Sequence, residues 1–340
     1  MGIKHMKKSG TTIFDNHGRP INYLRLAVTD RCNLRCFYCM PASGIHYLPK
    51  KELLSYEEME RLIDILGDLG ISKIRITGGE PFLRKDLIRF LGRISKKEPI
   101  QKISITTNGV LTEKYIPQLK DLGINSINLS LDTLDKDRFF RITRRDEFAT
   151  VERTLNKLIE NNFDLKINMV VMEGQNTQDI IPIAKLAKDL NIGVRFIEEM
   201  PFNGVGKTGK GLNWNHHHIR KVLADEFDSL VESPNEPGST SQNFSVKGFK
   251  GNLGIIAAYS RTFCGSCNRI RISSQGLLKT CLYDDGVLNL RDIMRNGQDD
   301  NFIRDQFLNA FSRRAIDGFE AERNRKKSPE IKESMSTIGG

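Results

Sequence analysis

The chain has 340 residues, of which 39% are hydrophobic and 28% charged, and its formal net charge is +10. This length can bury one barrel-sized domain and a smaller one, and the composition is that of an ordinary soluble protein. No apolar run approaches the roughly 20 residues that cross a bilayer, and no signal peptide is evident, so we expect no membrane partner. The positive charge predicts attraction for an anion: nucleic acid, a membrane surface or a phosphorylated small molecule.

The order of secondary-structure signals predicts an α/β fold. Six short apolar runs typical of β-strands alternate with amphipathic helical patterns. This alternation favours a parallel sheet, and six units predict a partial (β/α)6 TIM-like barrel, although a doubly wound sheet gives the same pattern. The expected strands span residues 23–28, 71–77, 102–107, 124–131, 165–172 and 192–198, and the expected helices span 56–69, 85–95, 113–122, 150–161 and 178–190.

Three segments are expected along the chain. Residues 1–14 begin with a basic, polar stretch and are predicted to form a disordered arm. Residues 15–232 carry the partial barrel. The alternation stops after Pro201, so residues 233–340 are predicted to form a smaller C-terminal α+β domain. Its expected strands lie near residues 244–249, 254–258 and 269–273, and its expected helices span 290–295 and 302–313.

The cysteines form two groups of three. A disulfide framework would scatter them through a small secreted domain, so this grouping favours a reduced, metal-binding protein of the cytoplasm. Thiolates are the ligands that iron–sulfur clusters and zinc prefer, and three ligands are one short of a closed four-coordinate site. A zinc site completed by a distant ligand and simple buried thiols are the alternatives. The first group is Cys32, Cys36 and Cys39, and the second is Cys264, Cys267 and Cys281.

The second cysteine group has the spacing C-x2-C-x13-C. By itself this pattern is as typical of a zinc ribbon that lacks a ligand as of a cluster. No fourth cysteine or nearby histidine is present to close a zinc site, so the pair of groups favours an iron–sulfur cluster with an open iron at the second group as well. His216, His217 and His218 are a weaker metal candidate, because three consecutive side chains do not share one face of a helix.

Basic residues occur inside the predicted strands. Arg269 and Arg271 are two residues apart, so both project to one face and form a fork for phosphate or carboxylate. A buried cation is costly without an anion, and pairing with a nearby Asp or Glu is the alternative for each of them. Cations that converge on one site predict a compact polyanion such as a nucleoside triphosphate. The other cations of the predicted strands are Arg25, Lys73, Arg75, Lys166 and Arg195.

The first cysteine group, with Tyr38 before its last cysteine, resembles the signature of the radical S-adenosylmethionine (SAM) enzymes. The resemblance implies a [4Fe–4S] cluster on three thiolates, with the fourth iron chelated by the methionine moiety of SAM. Gly78 and Gly79 follow the second strand, and their missing Cβ atoms predict a close approach of a ligand to the backbone. The residues implied to contact SAM are Tyr38, Gly79, Ser130 and Met200.

Further motifs together resemble the GTP 3′,8-cyclases, which catalyse the first step of molybdenum cofactor biosynthesis. Besides the two cysteine groups, they are residues 24–26, 75–81, 106–109, 195–198, 269–271 and the terminal Gly339 and Gly340. The resemblance implies a radical SAM lyase that converts GTP into (8S)-3′,8-cyclo-7,8-dihydroguanosine 5′-triphosphate, with the Gly-Gly tail reaching into the active site. The residues implied to bind GTP are Arg25, Arg75, Thr106, Lys166, Arg269, Ile270 and Arg271, with Lys73 and Arg195 as further candidates.

The resemblance also implies an external electron donor, a downstream pterin-forming enzyme and a cytoplasmic location, with a homodimer as one assembly and no nucleic-acid partner. Three other functions fit parts of the sequence. Another two-cluster radical SAM enzyme acting on a peptide or RNA is the nearest. A two-cluster electron carrier would need no arginines in strands and would usually fill all four ligand positions. A zinc-containing nucleic-acid-binding protein fits the net charge but not cations buried in strands.

Overall fold

A computed structural model of the chain describes residues 12–202, 212–325 and 333–339. No helix among these residues is both long and apolar enough to cross a membrane. The helices are α1 (Tyr56–Asp68), α2 (Leu87–Ile94), α3 (Ile116–Asp121), α4 (Lys136–Thr143), α5 (Phe148–Glu160), α6 (Ile180–Asp189), α7 (His216–Glu226), α8 (Leu290–Arg295), α9 (Asp300–Phe311), α10 (Gly318–Arg323) and α11 (Met335–Ile338). The strands are β1 (Ile13–Phe14), β2 (Pro20–Ile21), β3 (Tyr23–Ala27), β4 (Lys73–Thr77), β5 (Lys102–Thr107), β6 (Ser126–Ser130), β7 (Asp164–Val171), β8 (Gly193–Glu198), β9 (Val231–Ser233), β10 (Ser241–Ser245), β11 (Asn252–Ile256), β12 (Arg269–Ile272), β13 (Leu277–Lys279) and β14 (Leu288–Asn289).

Twelve of these strands form one sheet, in the order β14-β13-β12-β3-β4-β5-β6-β7-β8-β11-β10-β9. The eight strands from β12 to β11 in this order run parallel, and the outer ones are antiparallel. The predicted α/β class is confirmed, since the six expected barrel strands are β3 to β8. The two edge strands, β14 and β9, do not pair with each other among the described residues, so the sheet stays open, as in a partial barrel.

Alternation along the strands separates the core from the cavity. In β4, Ile74 and Ile76 are fully buried, whereas Lys73 and Arg75 line a cavity on the other face. Each buried isoleucine contributes about 1.5–3 kcal/mol to folding relative to leaving it exposed. The period of two that builds the core therefore also directs the strand cations to one site.

The C-terminal third of the chain joins both edges of the barrel sheet. β12 pairs in parallel with β3, and β11 pairs in parallel with β8. The expected α+β unit supplies antiparallel strands and the helices α8 to α11, but in the part of the chain that the structure describes its strands extend the barrel sheet instead of forming a separate one. Its expected start at residue 233 falls inside β9, which pairs with β10. Pairing between segments so far apart in the chain leaves no local sequence signal.

Two local features also differ from the sequence expectations. No predicted helix covers α4, whose N-cap Asp135 accepts a 2.6 Å hydrogen bond from Arg138 N. Ile13 and Phe14 pair with Ile21 and Pro20, so the prediction of a disordered arm is wrong for these two residues. The rest of that arm up to residue 11, and Gly340, lie outside the described residues.

Candidate active site

The parallel strands border a cavity of about 860 Å³, lined at several points by the loops that follow their carboxyl ends. All six cysteines line this cavity, although the two groups lie far apart in the sequence. The pairing of β12 with β3 brings them together, because it places the segment after Phe263 beside the first strand of the barrel. The two predicted cluster sites therefore share one chamber.

The first cysteine group lies on the loop between β3 and α1. Cys39 N donates to the Cys36 carbonyl at 2.9 Å, which tightens the loop. Arg35 Nη1 donates to the Cys32 carbonyl at 2.6 Å, and Arg35 N donates to the carbonyl of Thr143 at 2.9 Å. The C-terminal end of α4 thus supports the loop that carries the thiols.

The chemistry of the first group fits a metal cluster. Burial raises the pKa of Cys36 and of Cys39, and it raises that of Cys32 to about 12. Asn108 Nδ2 donates to Cys32 Sγ at 3.6 Å. Thiolates in this position need a compensating positive charge, which iron would supply, and an N–H donor beside a sulfur is a usual feature of cluster sites.

The two glycines after β4 pack against the protein. A Cβ on Gly79 would lie 2.2 Å from the Arg31 carbonyl oxygen, and one on Gly78 would lie 2.5 Å from that of Thr29. The space predicted for a ligand is therefore filled by the backbone leading to the cysteine loop. Both glycines still line the cavity, and their main effect is to let this loop approach β4 closely.

Tyr38 is fixed by a buried carboxyl group. Its hydroxyl donates to Asp132 Oδ2 at 2.8 Å, and Asp132 Oδ1 accepts from Val170 N at 2.9 Å. Burial raises the pKa of Asp132 to about 6 and raises that of Tyr38 as well. The other two residues implied to contact SAM, Ser130 and Met200, also line the cavity.

The sulfurs of the second group also accept hydrogen bonds. Arg314 Nη2 donates to Cys267 Sγ at 3.2 Å, and Tyr283 N donates to Cys281 Sγ at 3.5 Å. Burial favours the neutral thiol, but the cations of Arg314 and Arg269 lower the pKa of Cys267 below its ordinary value. Burial raises the pKa of Cys281 to about 12.

The described residues contain no group of three or more Cys, His, Asp or Glu side chains placed to hold one metal ion. A zinc ion needs its sulfur ligands about 2.3 Å from a single point. The thiolates of a [4Fe–4S] cluster bind different iron atoms, so they do not have to converge in this way. The three thiols of each group match the donor set that a [4Fe–4S] cluster with one open iron takes from a protein.

Six of the strand cations form two rows across neighbouring strands. Register pairs Arg271 with Arg25 and Arg25 with Arg75. The second row lies two residues earlier on these strands and contains Arg269, Tyr23, Lys73 and Lys102. Ten basic residues line the cavity in the described part of the chain, against the acidic residues Asp164, Glu198 and Glu236; the basic ones are Arg25, Lys73, Arg75, Lys102, Lys166, Arg195, Arg261, Arg269, Arg271 and Lys279.

The pKa values of these groups reflect the crowding of positive charge. Burial and then Arg269 lower the pKa of Arg271 to about 10, and burial with Arg271 lowers the pKa of Arg25 well below its ordinary value. Tyr23 accepts a 2.5 Å hydrogen bond from Arg75 Nε. Although burial opposes ionisation, Arg75 and Arg25 lower the pKa of Tyr23 to about 8. Such a site strongly favours a bound polyanion.

Partners within the protein differ among the strand cations. Lys166 Nζ lies 2.6 Å from Asp164 Oδ1, so the alternative of pairing with an acid holds for this residue. Arg195 Nη1 donates to Asn252 Oδ1 at 2.7 Å, and Arg75 Nη1 donates to Thr106 Oγ1 at 3.4 Å. Among the described residues, the buried Nε of Arg25 has no hydrogen-bond partner.

Ile270 does not line the cavity. Its side chain is fully buried on the opposite face of β12 from Arg269 and Arg271. Strand alternation is the reason, because neighbouring residues point to opposite faces of a sheet. Only the backbone of Ile270 is left to contact a ligand in the cavity.

The C-terminal tail packs beside the first cysteine group and beside the arginines of β12. Ser334 Oγ donates to the Cys39 carbonyl at 2.8 Å, and Arg271 Nη1 donates to the Gly339 carbonyl at 2.6 Å. Ile338 is 3% exposed and packs in a small apolar cluster that includes Phe202. Lys279 Nζ holds the start of the tail through Glu333 Oε2 at 2.6 Å.

The histidine cluster at the start of α7 has a structural explanation. His216 N and Nδ1 lie 2.7 and 3.1 Å from Oε1 of the fully buried Glu198, which also accepts from Ser260 N at 2.7 Å. The His218 ring stacks on Trp214 with centroids 4.2 Å apart. Among the described residues these histidines join no metal-binding group.

Sequence reasoning missed the residues that support the cysteines from a distance. Arg314, Asp132 and Glu80 are buried polar residues beside the two groups, and none of them was predicted as a site residue, although Glu80 lies within the motif of residues 75–81. Glu80 follows the Gly-Gly pair and accepts from Asn108 N at 2.8 Å and from Thr107 Oγ1 at 2.9 Å. Its place beside the glycines was the one available local signal.

The fold and the cysteine loop define the chain as a radical SAM enzyme. The radical SAM superfamily model matches residues 26–187, and the Molybdenum Cofactor Synthesis C model matches residues 192–318. The crystal structure of Streptococcus suis SuiB has the same fold, with a TM-score of 0.61 and 16% identity over 95% of this chain and 74% of that chain. As a member of this class the chain uses SAM and an iron–sulfur cluster.

More similar relatives identify the particular family. The GTP 3′,8-cyclase of Syntrophomonas wolfei is 39% identical over 335 residues, which are 96% of this chain and 100% of that protein. The GTP 3′,8-cyclase of Desulforamulus reducens is 41% identical over 84% of this chain and 88% of that protein. The molybdenum cofactor biosynthesis protein moc-5 of Caenorhabditis elegans is 38% identical, and the chain spans 50% of its length. The chain belongs to the GTP 3′,8-cyclase family, as its motifs predicted.

Proposed function

We propose that the chain converts GTP into (8S)-3′,8-cyclo-7,8-dihydroguanosine 5′-triphosphate, the first step of molybdenum cofactor biosynthesis, with two [4Fe–4S] clusters. One observation carries the proposal: a single cavity is lined by both cysteine groups and by ten basic residues. A radical enzyme needs its cofactor and its substrate in one closed chamber, and a triphosphate needs several cations.

The arginine row would bind the triphosphate of GTP. Arg271, Arg25 and Arg75 are adjacent across three strands, and the buried Nε of Arg25 has no partner among the described residues. Each charge-assisted hydrogen bond to phosphate contributes about 1.5–3 kcal/mol. Because the sheet fixes these side chains before substrate binds, little of this energy is lost in ordering them.

The first cluster, on Cys32, Cys36 and Cys39, would supply the electron that cleaves the S–C5′ bond of SAM. The second group, Cys264, Cys267 and Cys281, would hold a cluster with an open iron near the base of GTP. The protein orients the ribose relative to SAM and excludes water from the radical. The tail would contribute to this exclusion, because Met335 and Ser336 of α11 line the cavity, and the residues on either side of α11 bond to the Cys39 loop and to β12.

The test is a measurement on anaerobically purified, reconstituted protein. We expect about eight iron and eight sulfide atoms per chain. We expect 5′-deoxyadenosine to form in step with the cyclised nucleotide when GTP is present. Four iron atoms per chain would contradict the two-cluster proposal. SAM cleavage that GTP does not stimulate would contradict the assignment of GTP as the substrate.

The same proposal has consequences for partners. A one-electron donor must reduce the cluster, and a pterin-forming enzyme must consume the product. We infer that the chain works in the cytoplasm and without nucleic acid, with a homodimer as one assembly. Sedimentation of the reconstituted protein checks the dimer, and pull-down with the same protein checks the donor.

A further inference from the structure

A buried group of three charged side chains lies beside the second cysteine group. Asp15 Oδ2 lies 2.6 Å from Arg19 Nε and 3.2 Å from Arg314 Nη1. Asp15, Arg19 and Arg314 are 6%, 5% and 4% exposed, so almost no solvent screens them. One carboxylate between two guanidinium groups leaves a net positive charge at this position.

The two arginines donate hydrogen bonds to the backbone beside each of the three cysteines of the second group. Arg19 Nη1 donates to the Cys264 carbonyl at 3.0 Å. Arg314 Nη1 donates to the Cys267 carbonyl at 2.9 Å, and Arg314 Nε donates to the carbonyl of Thr280, next to Cys281, at 2.9 Å. The backbone around each cysteine is therefore held by one charged group of side chains.

Arg314 also contacts a sulfur directly. Its Nη2 lies 3.2 Å from Cys267 Sγ and 2.8 Å from the Arg269 carbonyl. Desolvation of buried charges is expensive, and purely apolar packing of the same volume often stabilises a fold as well. A buried arginine aimed at a thiol thus points to a role in which its charge and its N–H groups are needed.

The hairpin formed by β1 and β2 supplies two of these three side chains. Asp15 and Arg19 lie in the turn between β1 and β2, where Asp15 Oδ1 accepts from Arg19 N at 2.9 Å. Arg19 Nη2 also donates to the carbonyl of Ala315 at 2.8 Å, so the turn is hydrogen-bonded to the residue that follows Arg314.

We propose that Asp15, Arg19 and Arg314 are positioning residues for the second cluster: they preorganise its cysteine segments, and Arg314 raises its reduction potential. This inference rests on the proposed second cluster. Hydrogen bonds to sulfur and positive charge near a cluster both stabilise its reduced form. Asp15, Arg19 and Arg314 together supply the positive charge and the hydrogen bond to sulfur, on the side of the cysteines that faces the hairpin.

The test compares Arg314→Lys and Arg314→Met with Arg313→Met in reconstituted protein. Arg313 is the exposed neighbour and controls for loss of one positive charge from the same segment. Iron content, the melting temperature and a redox titration followed by electron paramagnetic resonance are measured for each. We expect Arg314→Lys, which keeps the charge but loses the fork, to retain about eight iron atoms. We expect its second cluster to be about tenfold harder to reduce at a given potential, a shift of about −59 mV for one electron.

Arg314→Met removes charge and hydrogen bonds together. We expect this variant to lose the second cluster selectively, leaving about four iron atoms and the slow SAM cleavage that the first cluster supports without GTP. Full iron content and an unchanged potential in both Arg314 variants would overturn the proposal. Loss of both clusters with a collapsed melting temperature in both variants would also overturn it, because Arg314 would then serve the whole fold. Four iron atoms in the unmodified protein would instead refute the second cluster itself.

Discussion

Gly339→Ala tests whether the tail is a working part of the site. Gly339 has φ of +80°, a backbone conformation that disfavours side chains. A Cβ there would lie 2.4 Å from Thr77 Oγ1 and 3.3 Å from Ala27 Cβ. The carbonyl of the same residue accepts from Arg271 Nη1 at 2.6 Å, so any shift of the tail also releases an arginine of the proposed GTP site.

Two costs determine the size of the effect. An alanine in the left-handed region costs about 1–2 kcal/mol. Overpacking against Thr77 costs about 1–3 kcal/mol more. Together they disfavour the docked tail by about 2–5 kcal/mol, and each 1.4 kcal/mol is a factor of about ten. Because α11 has only four residues, we expect the tail to detach while the barrel stays folded.

The assay measures cyclised nucleotide and 5′-deoxyadenosine under anaerobic conditions. We expect product to fall at least about tenfold, with iron content and melting temperature unchanged. Gly297→Ala is a matched control, since Gly297 also has φ of +80° but a Cβ there would meet nothing within 4 Å. Adding Gly339→Ala to a Thr77→Ala variant should reduce product formation less than adding it to the unmodified protein. The reason is that Thr77→Ala removes the closest contact of the new Cβ. Product formation at the unmodified rate in Gly339→Ala would refute the role of the tail.

Three further changes test the rest of the site. Cys36→Ala should abolish reductive cleavage of SAM; 5′-deoxyadenosine at a normal rate would mean that the loop is wrongly assigned. Arg271→Ala should weaken GTP binding by about 1.5–3 kcal/mol, measured by calorimetry, and leave SAM binding unchanged; equal losses for both ligands would indicate a role in folding. Burial raises the pKa of Glu80 from its ordinary 4.5 to about 7. The stability from this shift is present below about pH 4.5 and is lost as pH rises through about 7, roughly 3 kcal/mol in all. The fall of melting temperature over this range should be smaller in Glu80→Gln, and an identical profile would show that Glu80 is not the group responsible.

Local patterns in the sequence were sufficient for the parallel core of the fold. The strand β5 and the helix α8 occupy the predicted residues, because an apolar period of two or of 3.6 is a property of a short segment. The spacing of each cysteine group is local in the same sense. The resemblance carried by several motifs added the family, which the relatives confirm.

The tertiary structure alone decided how these parts meet. Arg25 and Arg271 are adjacent because β12 pairs with β3, and no local pattern encodes a parallel pairing between the two ends of a chain. The same pairing puts both cysteine groups in one cavity. The glycines after β4 contact protein backbone instead of open space, which only the packed loop reveals. Arg314 has no motif around it, and it contacts both Cys267 and Asp15, which lies in a hairpin nearly 300 residues earlier in the chain. Sequence patterns record which residues form a strand or a loop, whereas long-range packing determines which side chains share a site.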